Sequence, residues 1–202
     1  MIRRTAAALA VLVFASAGAA ADLGPFGTPT VPYTADSTVS ADGRNIAAKV
    51  YADGARERRE TTVEGRTQIL LVDRDQQKAT VLLPEQKTAM EVDVRNAGAG
   101  RAGDIKWTTR ELGPEALGPV AAVKHAVEGA NGRGDRIAGI VWITAERIPV
   151  KAELDVTADG RTRHVSQLLS NLKVGPVDPA LLTVPADYRR VVPPAGTPPG
   201  KG

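Results

Sequence analysis

Five dipeptides punctuate this chain: Asp42-Gly43, Asp53-Gly54, Glu64-Gly65, Asn131-Gly132 and Asp159-Gly160. Asp-Gly and Asn-Gly accept the positive φ angles that tight hairpins demand. The text between them runs in short segments rich in Val, Ile, Thr and Leu. Hairpins this close together leave room only for antiparallel neighbours, because a parallel crossover needs about a dozen residues or more. The spacing predicts strands over 33–40, 46–52, 56–63, 66–73, 78–83, 87–94, 105–112, 119–128, 135–144, 149–157 and 161–174. The expected fold class is therefore mainly β, an antiparallel meander with little helix.

Within these segments the side chains sort by period two. In 149–157, Val150, Ala152, Leu154 and Val156 point one way, and Lys151, Glu153 and Asp155 the other. Two segments are apolar on both faces: Ile69-Leu70-Leu71-Val72, and 137–143 with Trp142. Such strands need something packed outside the sheet, or an apolar interior facing an apolar lid. The best helical text is one short turn at Asp178-Pro179-Ala180-Leu181-Leu182, with Asp as N-cap and Pro at the first helical position. Residues 94–104 and 113–118 are Gly-rich and could hold a further turn.

The first 21 residues have the parts of a secretory signal. Arg3 and Arg4 open it, an Ala-rich apolar run follows, and Ala19-Ala20-Ala21 precedes Asp22. The apolar run is shorter than the roughly 20 residues that span a bilayer. Residues 22–32 form a Pro/Gly-containing leader, 33–192 a single β domain, and 193–202 a Pro/Gly tail that cannot offset its ordering entropy by burial. The expected location is the periplasm, reached through cleavage of the signal. The chain has no Cys, so disulfides, thiolate metal sites, Cys nucleophiles and a Cys-linked lipid anchor are excluded.

Charge and aromatic content argue against nucleic acid. The formal net charge is +3, and removing Arg3 and Arg4 with the signal leaves +1. Phe, Tyr and Trp together number seven, too few for a stacking platform. The densest charged run, Arg56-Glu57-Arg58-Arg59-Glu60, alternates in sign and reads as a solvated strand face.

Catalytic and metal chemistry find little to work with. Of two histidines, His125 sits among small apolar strand residues, and no HxH, HxxxH or HExxH spacing exists. His164 and Ser166 share a strand face, but Ser166 lacks the sharp Gly-x-Ser-x-Gly turn that lifts a nucleophile above a sheet. Gly129-Ala130-Asn131-Gly132-Arg133-Gly134 looks like a phosphate loop, yet strand text rather than a helix follows it, so a wide hairpin turn is expected. No catalytic residue, metal site or cofactor is assigned. Trp107 and Trp142 suit either core packing or a cavity wall.

The C-terminal half carries a resemblance. Its residues are Leu112-Gly113-Pro114-Glu115-Ala116-Leu117-Gly118-Pro119, Lys124-His125-Ala126-Val127, Val141-Trp142-Ile143-Thr144 and Ile148-Pro149-Val150-Lys151. The closing stretch runs Asp178-Pro179-x-Leu181-x-x-x-Pro185-x-x-Tyr188, and Leu83-Pro84-Glu85-Gln86-Lys87-Thr88 lies upstream. Over residues 33–190 the chain resembles an uncharacterised periplasmic family similar in fold to the lipoprotein carriers LolA and LolB. That resemblance implies an open, strongly curved antiparallel sheet, a half-barrel whose apolar concave face takes acyl chains in the carriers. The carriers have substantial lid helices and LolB-type receptors a lipid anchor; this chain departs from both.

Two functions follow. One is a soluble periplasmic binding protein, not an enzyme, that holds a lipid or lipoprotein acyl chain in the concave face. Its expected cavity wall is Trp107, Trp142, Leu70, Leu82, Met90, Ile140, Leu154 and Val156. The other is an envelope interaction protein with a filled interior, which binds a protein partner through a sheet edge. Neither needs nucleic acid or a stable membrane anchor. Protein recovered from the periplasm of an expressing bacterium should begin at Asp22 by N-terminal sequencing; a chain still beginning at Met1 would contradict export.

Overall fold

A computed structural model describes residues 25–93, 105–158 and 160–191. Its strands are β1 (Tyr33–Ala41), β2 (Arg44–Asp53), β3 (Arg56–Val63), β4 (Arg66–Asp73), β5 (Lys78–Leu83) and β6 (Thr88–Asp93), then β7 (Lys106–Leu117), β8 (Val120–Ala130), β9 (Arg136–Ile143), β10 (Pro149–Ala158), β11 (Arg161–Val174) and β12 (Arg189–Val191). All twelve join one sheet in the order β12-β6-β5-β4-β3-β2-β1-β11-β10-β9-β8-β7. The chain enters mid-sheet, meanders out through β6, resumes at the opposite edge with β7, and meanders back until β11 pairs with β1. The β12–β6 pairing is parallel, and every other neighbour is antiparallel. The sheet is open and does not close into a barrel, as the fold reading required.

The turn chemistry is visible in the backbone. Asp42-Gly43 and Glu64-Gly65 have positive φ at both residues, the mark of a tight type I′ hairpin. At the phosphate-loop lookalike, the Asn131 side-chain oxygen accepts from the backbone N–H groups of Arg133 and Asp135, so the loop is a self-closed turn. The turn expected at Asp159-Gly160 lies partly outside the described residues. The signal, the Gly-rich stretch 94–104 and the tail 193–202 lie outside them altogether. Two features depart from the sequence reading. Residues 113–118 are not a separate turn but run on as the second half of β7, where a bulge between Glu111 and Gly113 (φ 110°) lets Gly-Pro text stay in an edge strand. β12 was not foreseen, because three residues carry no readable period.

Cross-strand register assigns every side chain to one of two faces. On the inner face, Ala35 of β1 aligns with Val50, Arg59, Leu70, Val81 and Met90 along successive strands. In the other direction the same face carries Leu169 and Gln167, then Ala152 and Leu154, Val141, and Val127. These inner positions are buried from β5 across to β8, Val50 and Val141 being only 1% exposed. Twelve strands at about 4.8 Å spacing would span roughly 50 Å if flat. Among the described residues no second layer covers that width, so the sheet shields this face by curling around it.

Glycine permits the tightest approach inside the curl. A Cβ at Gly139 of β9 would collide with the Glu153 carbonyl oxygen of β10. The obstacle is backbone and cannot rotate away. Gly139→Ala should therefore destabilise the fold by more than about 2 kcal/mol in chemical denaturation; a variant as stable as the parent would contradict this packing.

Candidate functional site

The inner face has three parts. At its centre sits a buried ionic group that the sequence reading placed in solvent. Period two divides the run 56–60 between both faces: Glu57 and Arg59 point inward, 4% and 5% exposed, while Arg58 and Glu60 point outward. The expectation of a solvated face is thus wrong for the inward pair. Arg59 Nε donates to one Glu57 carboxylate oxygen, and Arg74 donates to the other at 2.7 Å. Burial pushes the Glu57 carboxyl up, but Arg59 and Arg74 outweigh it and bring the pKa down to about 2. Tyr33, on the same face, has its phenol pushed well above the usual range by burial first and then by the Glu57 charge.

Beside this group lie two buried polar side chains with unmet hydrogen-bonding capacity. Ser37 is 1% exposed and Gln167 3%. Ser37 Oγ and Gln167 Oε1 have no hydrogen-bond partner. Ser37 pairs across the strands with Leu169, and Gln167 with Val39, so the two are diagonal neighbours on adjacent strands of one face. Leaving such an atom unsatisfied costs about 1–3 kcal/mol.

The second part is an apolar patch on β4–β6. Leu70, Ala79 and Val81 are buried together, with Val72, Leu83 and Met90 packed against them. The opposite face of the same strands is covered by the chain's own C-terminal segment: Val184 and Tyr188 pack on Ile69, Leu71, Leu82 and Ala89. That segment is fixed by Asp178 capping the 3-10 turn Pro179–Leu182, by Arg58 donating to the Leu181 carbonyl, and by a Lys87–Asp187 ion pair at 2.8 Å. The two-sided apolar text of 69–72 is explained by this strap on one face and the buried inner cluster on the other. The closing Asp-Pro…Tyr pattern is a clip, and its residues serve packing.

The third part is a wall on β7–β10. Val127, Val141, Ile143, Ala152 and Leu154 cluster there, with Trp107, Ile137 and Val156 against them. Trp107 lies over Gly129, where a Cβ would come 2.8 Å from its ring. Phe26 of the leader joins the same cluster and stands 5.0 Å from the His125 ring.

The expected cavity residues divide between the faces. Trp107, Leu70, Met90, Leu154 and Val156 share the inner face. Trp142, Ile140 and Leu82 are on the other one, since they pair with Lys151, Glu153 and Ile69 respectively. Trp142 is buried all the same, in a cluster where Ala122 and Ile148 join it to inner-face residues such as Val50, Val150 and Leu169. It lies between Lys124 and Lys151, whose ammonium groups stand 5.1 and 4.4 Å from its ring centre. Its indole N–H makes no fully formed hydrogen bond, yet it is the largest influence holding the Glu115 carboxyl below its ordinary pKa, followed by Lys124. An alternating pattern shows that a strand has two faces but not which one curls inward.

The remaining polar candidates lie on the other face of the sheet. Both ring nitrogens of His164 are engaged, by Asp155 at 2.9 Å and Glu153 at 3.2 Å, which leaves neither for Ser166. The Asp155 contact first, then Glu153, raises the His164 pKa. Among the described residues no group of three or more His, Asp or Glu could hold a metal, and no helix is long and apolar enough to cross a membrane.

The architecture is shared with a known structure. An uncharacterised conserved protein from Thermus thermophilus superposes with a TM-score of 0.52 at 15% identity, over 81% of this chain and 91% of its own. The likeness is one of fold. A LolA superfamily protein from Nitrosomonas europaea gives 0.41 at 13% identity, over 78% of this chain and 92% of its own. MucB in the Pseudomonas aeruginosa MucA/MucB complex gives 0.49 at 15% identity, over 89% of this chain and 64% of its own. No protein-family model and no curated protein sequence matches the chain.

The Glu57 group makes stability depend on acid in a definite direction. A folded pKa below the unfolded value of 4.5 contributes stability that is present above that value and lost as pH falls from about 4.5 towards 2. Glu57→Gln should lose about 3–5 kcal/mol at neutral pH, because a buried and a half-buried guanidinium lose their counter-charge. Its remaining stability should vary less across the acid range than the parent's. Parallel acid-unfolding curves for the two proteins would contradict the assignment.

Proposed function

We propose that this protein is an exported, periplasmic binding protein that holds the acyl chain of a lipid or lipoprotein against the concave face of its sheet. The observation that carries the reading is the patch Leu70, Val72, Ala79, Val81, Leu83 and Met90. It is built wholly from three adjacent strands. The other face of those strands is covered by Val184 and Tyr188, whereas this cluster draws only on the strands themselves. Shielding an alkyl chain from water is worth about 0.8 kcal/mol per buried CH₂ before ordering costs, and it needs only apolar walls. The sequence resemblance to the lipoprotein-carrier fold supports the same reading, as does the lack of any assembled catalytic constellation among the described residues.

A second reading has one observation in its favour. β7 is a twelve-residue edge strand with mostly exposed side chains, and among the described residues nothing pairs with its outer side. An envelope protein could add a strand there.

Organic extracts of the natively purified protein should contain a lipid by mass spectrometry, and the protein should bind a fluorescent fatty acid. Met90 is only half-buried, so Met90→Glu should keep the circular dichroism of the parent while weakening the probe by at least about tenfold. Lipid-free protein that ignores the probe would overturn the acyl-chain reading.

A further inference from the structure

We infer that Ser37 and Gln167 form a recognition site for a secondary amide, so that the preferred guest is an acyl chain attached through an amide rather than an ester. The inference deepens the acyl-chain reading and rests on it. Its starting point is the contrast between the two polar groups of the inner face. The Glu57 carboxylate is matched on both oxygens by Arg59 and Arg74. Ser37 Oγ and Gln167 Oε1, equally deep, have no partner. Buried polar atoms are paired almost without exception in folded proteins, so two orphans on one face of adjacent strands call for a missing partner.

The chemistry of the pair defines that partner. Gln167 Oε1 is an acceptor and requires an N–H or O–H, while the Ser37 hydroxyl can donate to a carbonyl. A secondary amide offers a carbonyl and an N–H on opposite sides of one rigid plane. Diagonal positions on neighbouring strands lie about 7–8 Å apart between Cα atoms, which suits two groups gripping one amide from either side. An ester has the carbonyl but no donor, so it would leave Gln167 unmatched. The surroundings fit a chain passing through. Ala152, beside Gln167 on β10, and Ala48, beside Ser37 on β2, are small. Beyond Ala48 the inner face passes Thr61 of β3 and Gln68 of β4, and the apolar patch of β4–β6 begins beside Gln68 at Leu70 and Leu83.

The test is competition against the bound fluorescent fatty acid by N-methylpalmitamide and methyl palmitate, which differ only in the linkage. The amide should compete about tenfold better with the wild-type protein. Gln167→Leu should reduce that preference to less than about twofold while still binding the probe, since it removes only the acceptor. The variant should also unfold at no lower temperature than the parent, because it removes an unsatisfied buried atom. Equal competition by amide and ester in the wild type would overturn the inference and leave the acyl-chain reading standing. Loss of the amide preference only together with loss of probe binding in Gln167→Leu would also overturn it. Failure of the wild type to bind the probe at all would remove both. An apolar peptide without an acyl chain that displaces the probe as well as the amide does would assign the site to peptide backbone and overturn the acyl source.

Discussion

A single β-sheet has two faces and, in this chain, no helical layer among the described residues to cover either. Everything else follows from how that deficit is met. One face is shielded by the sheet's own curvature. Part of the other is shielded by the strap that follows β11, held by a capped turn, an arginine-to-carbonyl hydrogen bond and an ion pair. Small residues on the inner face, such as Ala35, Ala52, Ala152 and Gly139, let the strands turn inward without collision. Hydrophobic burial drives the curl, and the alternating pattern with its tight hairpin turns sets much of the register.

The buried Glu57–Arg59–Arg74 group offers one source of that register. Its members must meet in one arrangement, because any slip by one residue would turn a charge outward and an apolar side chain with it. Such a group adds little net stability over a hydrophobic substitute, yet breaking it by removing one partner is severe. This places the most polar part of the inner face against its most apolar part, the β4–β6 patch. On the proposed reading, such a face would take an amphiphile with its polar linkage at one level and its alkyl chain at the next.

Much of the fold was legible. Turn pairs such as Asp42-Gly43 and Glu64-Gly65 fixed the hairpins, and the strands between them fall within a few residues of the expected bounds, except that β7 continues to Leu117. The capped turn at Asp178 was legible for the same local reason. The inner face was not. Alternation groups Leu154 with Val156 but cannot say that Trp142 and Ile140 belong to the opposite side from Trp107, since that depends on strand pairing far along the chain. Glu57 and Arg59 were misread because a run of mixed sign resembles surface; the usable signal was opposite charges two residues apart on a strand. Nothing local marks Ser37 or Gln167, which become notable only when β1 and β11 are paired.

The central claim is that the concave face, not the convex one, receives the guest. A fatty acid carrying a nitroxide at its methyl end should broaden the NMR amide signals of Leu70, Val81 and Met90 and leave those of His164 and Leu168 sharp. Broadening at His164 and Leu168 without any at Leu70, Val81 and Met90, or none at any position with the probe in excess, would contradict the account.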